Sequence, residues 1–220
     1  LGIVLARTVP GLSILAYASL LSLSGLLGLR LAPAESGWRN PLLTVGLSGI
    51  TVLTYLFTWQ HVWDDIGWRY ISYDGGHQAW GIWIDPALTA GLATAWALAA
   101  VKGLRHASLP SIILCSFPLF AGAGFCVATY SGSVLINTLL FNAYMLALGL
   151  AYLVQGCRST QLRQVNYGMA VLGLLLITRF FDSDFGFLAR GLAFIAMGSG
   201  FLATNLIMAR KKQQLEDRQQ

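Results

Sequence analysis

Carboxylate and imidazole side chains gather in one polar segment between the second and third apolar stretches of the chain. This segment, residues 60–81, is called the Trp-rich loop below. Its titratable side chains include His61, Asp64, Asp65, Asp74 and His77. Such groups can ligate a divalent metal, or donate and accept protons as a general acid and base. If the protein has a specific activity, we expect it at this loop.

Two chemical interpretations of these side chains stay open. If the start of the loop is helical, His61 and Asp65 share a face at a spacing that suits metal ligation. The pattern His-x-x-Asp-Asp matches no established metal signature, and neither a metal nor another cofactor is expected. Alternatively, Asp64 and Asp65 face a lipid-linked substrate outside the membrane, where they bind metal-pyrophosphate or act as a base.

The tryptophans favour a simpler interpretation of the loop. Trp and Tyr are enriched where a membrane protein crosses the lipid headgroup region. The aromatics expected at such an interface are Trp59, Trp63, Trp68, Trp80 and Trp83. Their spacing suggests a short interfacial helix ending near Gly67, followed by a turn at Asp74-Gly75-Gly76-His77. On this interpretation the loop is a flap anchored in lipid.

A second charged group lies near the junction of the last two apolar stretches. It consists of Arg179, Asp182, Asp184 and Arg190. An arginine inside an apolar stretch is costly unless it is paired, so we predict that Arg190 pairs with Asp182, Asp184 or Asp85 beneath the Trp-rich loop. This pair is either an ionic link between helices or part of a substrate or ion site. Arg179 and Asp182 are three residues apart and can satisfy each other.

The elements that must position these residues are apolar helices. The chain has 220 residues, of which 56% are hydrophobic and 10% charged, whereas about a quarter of a soluble domain is charged. Seven stretches are long enough to cross a bilayer, which takes about 20 helical residues. They cover residues 9–29, 41–59, 82–101, 109–130, 134–155, 165–181 and 186–208. Because the chain starts at Leu1, we also expect residues upstream of it.

The predicted fold class is therefore all-α, a polytopic transmembrane helical bundle of about seven spans. Residues 1–212 form a single bundle and residues 213–220 a polar tail. Lys and Arg fall after the first, third, fifth and seventh stretches, and such loops stay in the cytoplasm. The N-terminus and the Trp-rich loop are therefore expected outside, and the C-terminus in the cytoplasm. This bias accounts for most of the net charge of +5, so no nucleic-acid partner is expected.

The third stretch carries small residues at successive spacings of four. They are Ala87, Gly91, Ala95 and Ala99. In a membrane, small residues let helix backbones approach closely, so this stripe predicts a buried contact with another helix of the bundle or with another copy of the chain. Asp85 followed by Pro86 predicts the start of the helix, with Asp85 as its N-cap.

The fourth and fifth stretches contain residues that a transporter could use. Pro110, Pro118 and nearby glycines should kink the fourth stretch. Asn137 and Asn142 on the fifth favour hydrogen bonds between helices over a polar path. All Lys residues lie at helix ends, all His residues lie in loops and the middle of each stretch is uncharged. This pattern argues against a retinal protein, an intramembrane protease, a bis-His haem protein and a proton pump.

The C-terminal part has a sequence likeness. Arg179-Phe-Phe-Asp182, then Arg190-Gly-Leu-Ala-Phe194, an apolar helix with glycines and a terminal Arg210-Lys-Lys follow one another. This order resembles a bacterial polytopic membrane-protein family catalogued as a domain of unknown function, number twenty-one fifty-seven. The resemblance covers only the C-terminal part of the chain. It implies a protein of the bacterial inner membrane and brings no activity with it.

Three functions follow as expectations. The first is a structural or accessory subunit that binds a membrane-protein partner, or a second copy, through the stripe or the Trp-rich loop. The second is an enzyme or binder of a lipid or lipid-linked substrate at the outer leaflet. The third is a small-solute transporter. Membrane lipids are expected partners in every case.

Overall fold

The computed structural model describes residues 10–31, 40–63, 81–104 and 108–181, with separate helical positions between 191 and 213. The part of the chain that it describes is all-α. Six helices have defined bounds: α1 (Pro10–Leu31), α2 (Pro41–Phe57), α3 (Gly81–Gly103), α4 (Leu109–Tyr130), α5 (Val134–Ser159) and α6 (Leu162–Phe181). They fall into two compact units, residues 1–142 and 143–220, and the boundary lies within α5.

Three of these helices are long and apolar enough to cross a membrane, over Ile14–Leu31, Leu109–Tyr130 and Val134–Ser159. Helix α2 is apolar but shorter. Local signals set two of the helix starts. Asn40 and Ser108 each cap a first turn with a side-chain oxygen, and a proline follows near the start of the helix.

Asp85 is not the N-cap of α3, because the helix begins at Gly81 and Pro86 lies inside it. A proline in the second turn removes one intrahelical donor. The predicted helix start was therefore wrong by about one turn.

The surface of the described helices is apolar and several of their most buried side chains are polar. Val52, Leu98 and Leu119 are each more than half exposed, whereas the side chains of Thr54 and Asn137 are fully buried. In water such an exterior would be unstable, whereas lipid solvates it without cost. The distribution agrees with a membrane environment.

Helices α1 and α2 form an antiparallel hairpin in which glycines allow backbone contact. A Cβ atom added at Gly46 would lie 2.7 Å from the Cα of Gly25 and 2.8 Å from the carbonyl oxygen of Leu21. Near the connection, the Asn40 side-chain amide donates to the carbonyl of Gly28 at 2.8 Å. The hairpin is thus held by close packing and by a buried hydrogen bond, as is usual where no hydrophobic effect acts between helices.

Helices α3 and α4 are joined by hydrogen bonds from side chains to backbone. Pro118 lacks an N–H group, so the carbonyl of Leu114, four residues earlier, loses its usual intrahelical donor. The Trp96 indole N–H donates to this carbonyl at 3.1 Å. Nearer the connection, the Ser111 hydroxyl donates to the carbonyl of Gly103 at 2.8 Å. A proline that would leave a polar atom unsatisfied in lipid is therefore accommodated by the neighbouring helix.

The second unit contains another glycine-lined hairpin, between the end of α5 and α6. A Cβ atom at Gly168 would lie 2.6 Å from the amide nitrogen of Leu153 and 2.7 Å from the carbonyl oxygen of Gly149. The ring of Tyr152 packs edge-on against that of Tyr167, with centroids 4.7 Å apart. The short connection makes the two helices antiparallel neighbours.

Candidate functional site at the start of the Trp-rich loop

The candidate site is built on the C-terminal end of α2, where the chain enters the Trp-rich loop. The last carbonyl groups of a helix have no intrahelical donors and need partners when they are buried. Here the amide and hydroxyl of Thr58 both donate to the carbonyl of Tyr55, at 3.1 and 2.6 Å. The amide of Trp59 donates to the carbonyl of Leu56 at 3.2 Å.

Trp63 completes this cap from within the loop. Residues 60–63 form a helical turn, called the anchored turn below, that brings the indole back over the end of α2. The indole N–H donates to the carbonyl of Phe57 at 2.8 Å, and the side chain is only 1% exposed. Trp63 was expected to face the lipid headgroups; instead its ring packs inside the first unit.

An aromatic cluster surrounds the buried indole. The Trp63 ring stacks on Phe141 of α5 with centroids 5.3 Å apart, and contacts Phe57 at 5.2 Å. Gly124 of α4 leaves room for both rings, because a Cβ atom there would lie 2.8 Å from Phe141 and 3.1 Å from Trp63. Three helices thus meet at the first residues of the loop.

Two asparagines of α5 bind backbone carbonyls around this cluster. The amide of Asn137 donates to the carbonyl of Gly124 at 3.0 Å. The amide of Asn142 donates to the carbonyl of Thr138 at 2.6 Å and makes a longer contact of 3.5 Å with that of Thr58. The bond of Asn137 joins α5 to α4, as the sequence favours, whereas the shorter bond of Asn142 stays within α5 and only its longer contact reaches the end of α2.

Among the residues expected to carry chemistry, His61 lies on the anchored turn. Its side chain is exposed, and Trp63 two residues later is buried. Trp59 is half-buried and packs edge-on against Tyr55, with centroids 6.1 Å apart. The anchored turn therefore presents the imidazole of His61 outward, and Asp64 and Asp65 follow this turn in the sequence.

The other candidate residues of the loop lie outside the described residues. They are Asp64, Asp65, Trp68, Asp74, His77 and Trp80. Asp85 and Trp83 fall on the first turns of α3, and their side chains are outside the described part. Within the described ranges, no three His, Cys, Asp or Glu side chains are placed to hold a metal ion.

The second charged group is described at one position only. Arg179 lies in the last turn of α6 and is half-buried. Asp182, Asp184 and Arg190 lie outside the described residues, so their pairing stays a prediction.

The small-residue stripe of α3 divides into two parts. Ala99 is buried and Ala95 is half-buried. Ala87 and Gly91 are exposed, and among the described residues a Cβ atom at Gly91 would meet no atom within 4 Å. The stripe is thus packed near the α3–α4 connection and open toward the start of α3.

Sequence reasoning missed the roles of Phe57, Phe141 and Gly124. From the sequence alone, Gly124 is predicted only to help kink the fourth stretch. The hydrogen bond from Trp96 had a signal in the sequence, because Pro118 inside an apolar helix leaves a carbonyl that requires a donor from elsewhere.

Comparison with known proteins adds nothing to this description: the chain matches no protein-family model, no curated protein and no solved structure.

Proposed function

We propose that the chain is a seven-span protein of the bacterial inner membrane that acts as a structural or accessory subunit for a membrane-protein partner. Its N-terminus is outside and its C-terminus is cytoplasmic. The resemblance to the bacterial polytopic family and the distribution of basic residues support this placement. The open half of the α3 stripe is the observation that carries the proposed function.

Helix α3 differs from the other helices in the small residues that it exposes. At Gly46 and Gly168, the lack of a side chain allows direct backbone contact with the neighbouring helix. At Gly91 an added Cβ atom would meet no atom of the described residues within 4 Å. Ala87, Ala90 and Thr94 on the same face are also exposed, whereas other helices expose mainly Leu, Val and Ile. In lipid, small residues favour contact with another helix.

The anchored turn supports the same proposal. The aromatic and amide contacts around Trp63 hold the first residues of the loop. A binding segment that is ordered in advance loses less conformational entropy when a partner binds. The outer end of the first unit therefore suits a fixed recognition surface.

Replacing Gly91 with Leu tests this function. Leucine should not disturb the fold, because there is space at this position and leucine favours helix more than glycine does. It would block a close helix–helix contact and should release the partner. The measurement is the size of the complex on native gels, after mild-detergent extraction of membranes that contain the full chain.

Gly173→Leu in α6 is the matched control, because a Cβ atom there also meets no atom of the described residues within 4 Å. We expect Gly91→Leu to migrate as a single chain and Gly173→Leu to keep the larger size. If the unmodified chain migrates alone, the accessory-subunit function fails. If both variants keep the larger size, the α3 face is not the interface. Copies with two different tags distinguish a second copy of the chain from another protein.

A lipid-directed activity is the second candidate, and the placement of His61 favours it. The imidazole is exposed on a turn that Trp63 fixes, immediately before Asp64 and Asp65. Replacing both aspartates with alanine should abolish an activity on a lipid-linked substrate and leave complex size unchanged. Loss of the complex with no change in activity would favour the subunit function instead.

The features that would suggest a transporter are used in packing. Asn137 and Asn142 donate to backbone carbonyls, and the carbonyl that Pro118 frees accepts a hydrogen bond from Trp96. These contacts favour a structural role, so transport is not the function that we propose.

A further inference from the structure

The turn between α5 and α6 holds its flanking residues in fixed positions. The amide of Gln161 donates to the carbonyl of Gly156 at 3.1 Å, and Thr160 adopts a left-handed backbone with a φ of 55°. A Cβ atom at Gly156 would lie 2.6 Å from the amide nitrogen of Val165, so the helix backbones are in contact here. The residues on either side of the turn therefore belong to two helix ends whose backbones are in contact.

Two arginines flank this turn. Arg158 in the last turn of α5 and Arg163 in the first turn of α6 are both exposed. The sequence contains no Asp or Glu from residue 86 to residue 181. Both helices therefore carry positive charge at this end and no negative charge along their length, which produces a positive potential that attracts anions.

Exposed apolar side chains continue from the arginines along the same hairpin. Val154 is 47% exposed, Leu150 is 45% exposed and Leu162, the first residue of α6, is 51% exposed. A ligand that matches both the arginines and the exposed apolar side chains has an anionic phosphodiester joined to acyl chains. Arginine binds phosphate oxygens through two parallel N–H groups, whereas leucine and valine accept the acyl chains.

We propose that the α5–α6 turn is a binding site for an anionic phospholipid, with Arg158 and Arg163 holding the headgroup phosphate. The inference rests on the proposed function only in placing this turn at the cytoplasmic surface. The apolar side chains beside the arginines favour a membrane lipid over a free phosphate ion. The site would fix the cytoplasmic end of this hairpin in its leaflet.

The test is native mass spectrometry of the full chain in detergent, titrated with phosphatidylglycerol or with phosphatidylcholine. We expect preferential binding of phosphatidylglycerol, which Arg158→Gln with Arg163→Gln weakens roughly thirtyfold, given the usual contribution of basic side chains near anionic lipid. The matched control is Arg30→Gln with Lys102→Gln, which removes two exposed charges from the ends of α1 and α3. It should keep the wild-type affinity.

Each other outcome overturns the site. Equal losses of affinity in the two double variants would show that positive charge attracts the lipid non-specifically. Equal affinities for the two lipids would show that the site does not distinguish an anionic headgroup. Full competition by inorganic phosphate would indicate a site for free phosphate. If the glutamine variant does not fold, Arg158→Lys with Arg163→Lys takes its place. It keeps the positive charge, so we expect a smaller loss of affinity, caused by the missing paired N–H contacts. Unchanged affinity would show that these arginines do not hold the phosphate in this way and would overturn the site.

The lipid site and the subunit function fail separately. The glutamine variant should keep the complex size on native gels, and Gly91→Leu should keep the binding of phosphatidylglycerol. A loss of lipid binding in Gly91→Leu would show that the lipid is held by the assembled complex and not by this turn.

Discussion

Replacing Trp63 with phenylalanine should destabilise the first unit and loosen the start of the Trp-rich loop. The substitution keeps an aromatic ring beside Phe141 but removes the N–H group that binds the carbonyl of Phe57 at 2.8 Å. That carbonyl would then lack a donor at the end of α2. Because Trp63 is only 1% exposed, water cannot replace the indole without opening the cluster.

The expected cost is about 2 kcal/mol. A buried carbonyl that loses its donor costs about 1–3 kcal/mol in water-soluble proteins, and about 0.6 kcal/mol is the average hydrogen-bond contribution within membranes. A value of about 1 kcal/mol is therefore reasonable for this bond. The smaller phenyl ring leaves part of the indole volume unfilled, which adds about 1 kcal/mol in a packed cluster.

The assay is reversible unfolding in mixed micelles, with Trp59→Phe as the matched control. Trp59 is half-buried and packs edge-on against one ring, so its replacement should cost less than about 1 kcal/mol. Hydrogen exchange adds a local measurement, because the amides of residues 57–63 should exchange faster only in Trp63→Phe. The predicted role of Trp63 is wrong if the two variants lose the same free energy of unfolding, or if hydrogen exchange at the amides of residues 57–63 is unchanged.

Two further substitutions test the contacts that α4 makes with its neighbours. Gly124→Ala should lower the free energy of unfolding by about 1–3 kcal/mol, because its Cβ atom would lie within 3.1 Å of two rings. Gly122→Ala should be neutral or slightly stabilising, because the nearest side-chain atom there is 3.5 Å away. Unfolding in mixed micelles measures both variants, and equal effects would contradict the packing around Gly124. Trp96→Phe should cost about 1 kcal/mol in the unmodified chain and almost nothing in a Pro118→Ala background, where residue 118 itself can donate to the carbonyl of Leu114. A double-mutant cycle with no coupling would show that the tryptophan does not replace the missing donor.

Helix positions are the part of the fold that could be predicted from the sequence. The stretch predicted at 109–130 coincides with α4, and that predicted at 41–59 ends two residues beyond α2. Helix α5 was predicted to end at residue 155 but continues to Ser159. The length of an apolar stretch reflects the thickness of the hydrocarbon core of the bilayer. A helix, however, ends where its backbone turns, which for α5 is at Thr160.

The contacts of the candidate site could not be predicted in the same way. Several tryptophans near a membrane surface indicate an interface, and nothing local distinguishes Trp63 from Trp59. The difference depends on Phe141 and Gly124, which are distant in sequence and meet Trp63 only in the folded unit. The same holds for the stripe of α3: the spacing of Ala99 and Gly91 is regular, but Ala99 is buried whereas a Cβ atom at Gly91 would meet no atom of the described residues within 4 Å.

One physical requirement explains most of the polar side chains that the structure describes around the Trp-rich loop. In an apolar medium each backbone carbonyl that lacks an intrahelical donor must find another one. Trp63 and Asn142 supply donors at the end of α2, and Trp96 supplies one beside Pro118. Residues engaged in this way are poor candidates for catalysis or transport. His61 is exposed on the anchored turn and makes none of these contacts, so the subunit function and the lipid-directed activity are best separated by experiments at this turn and at Gly91.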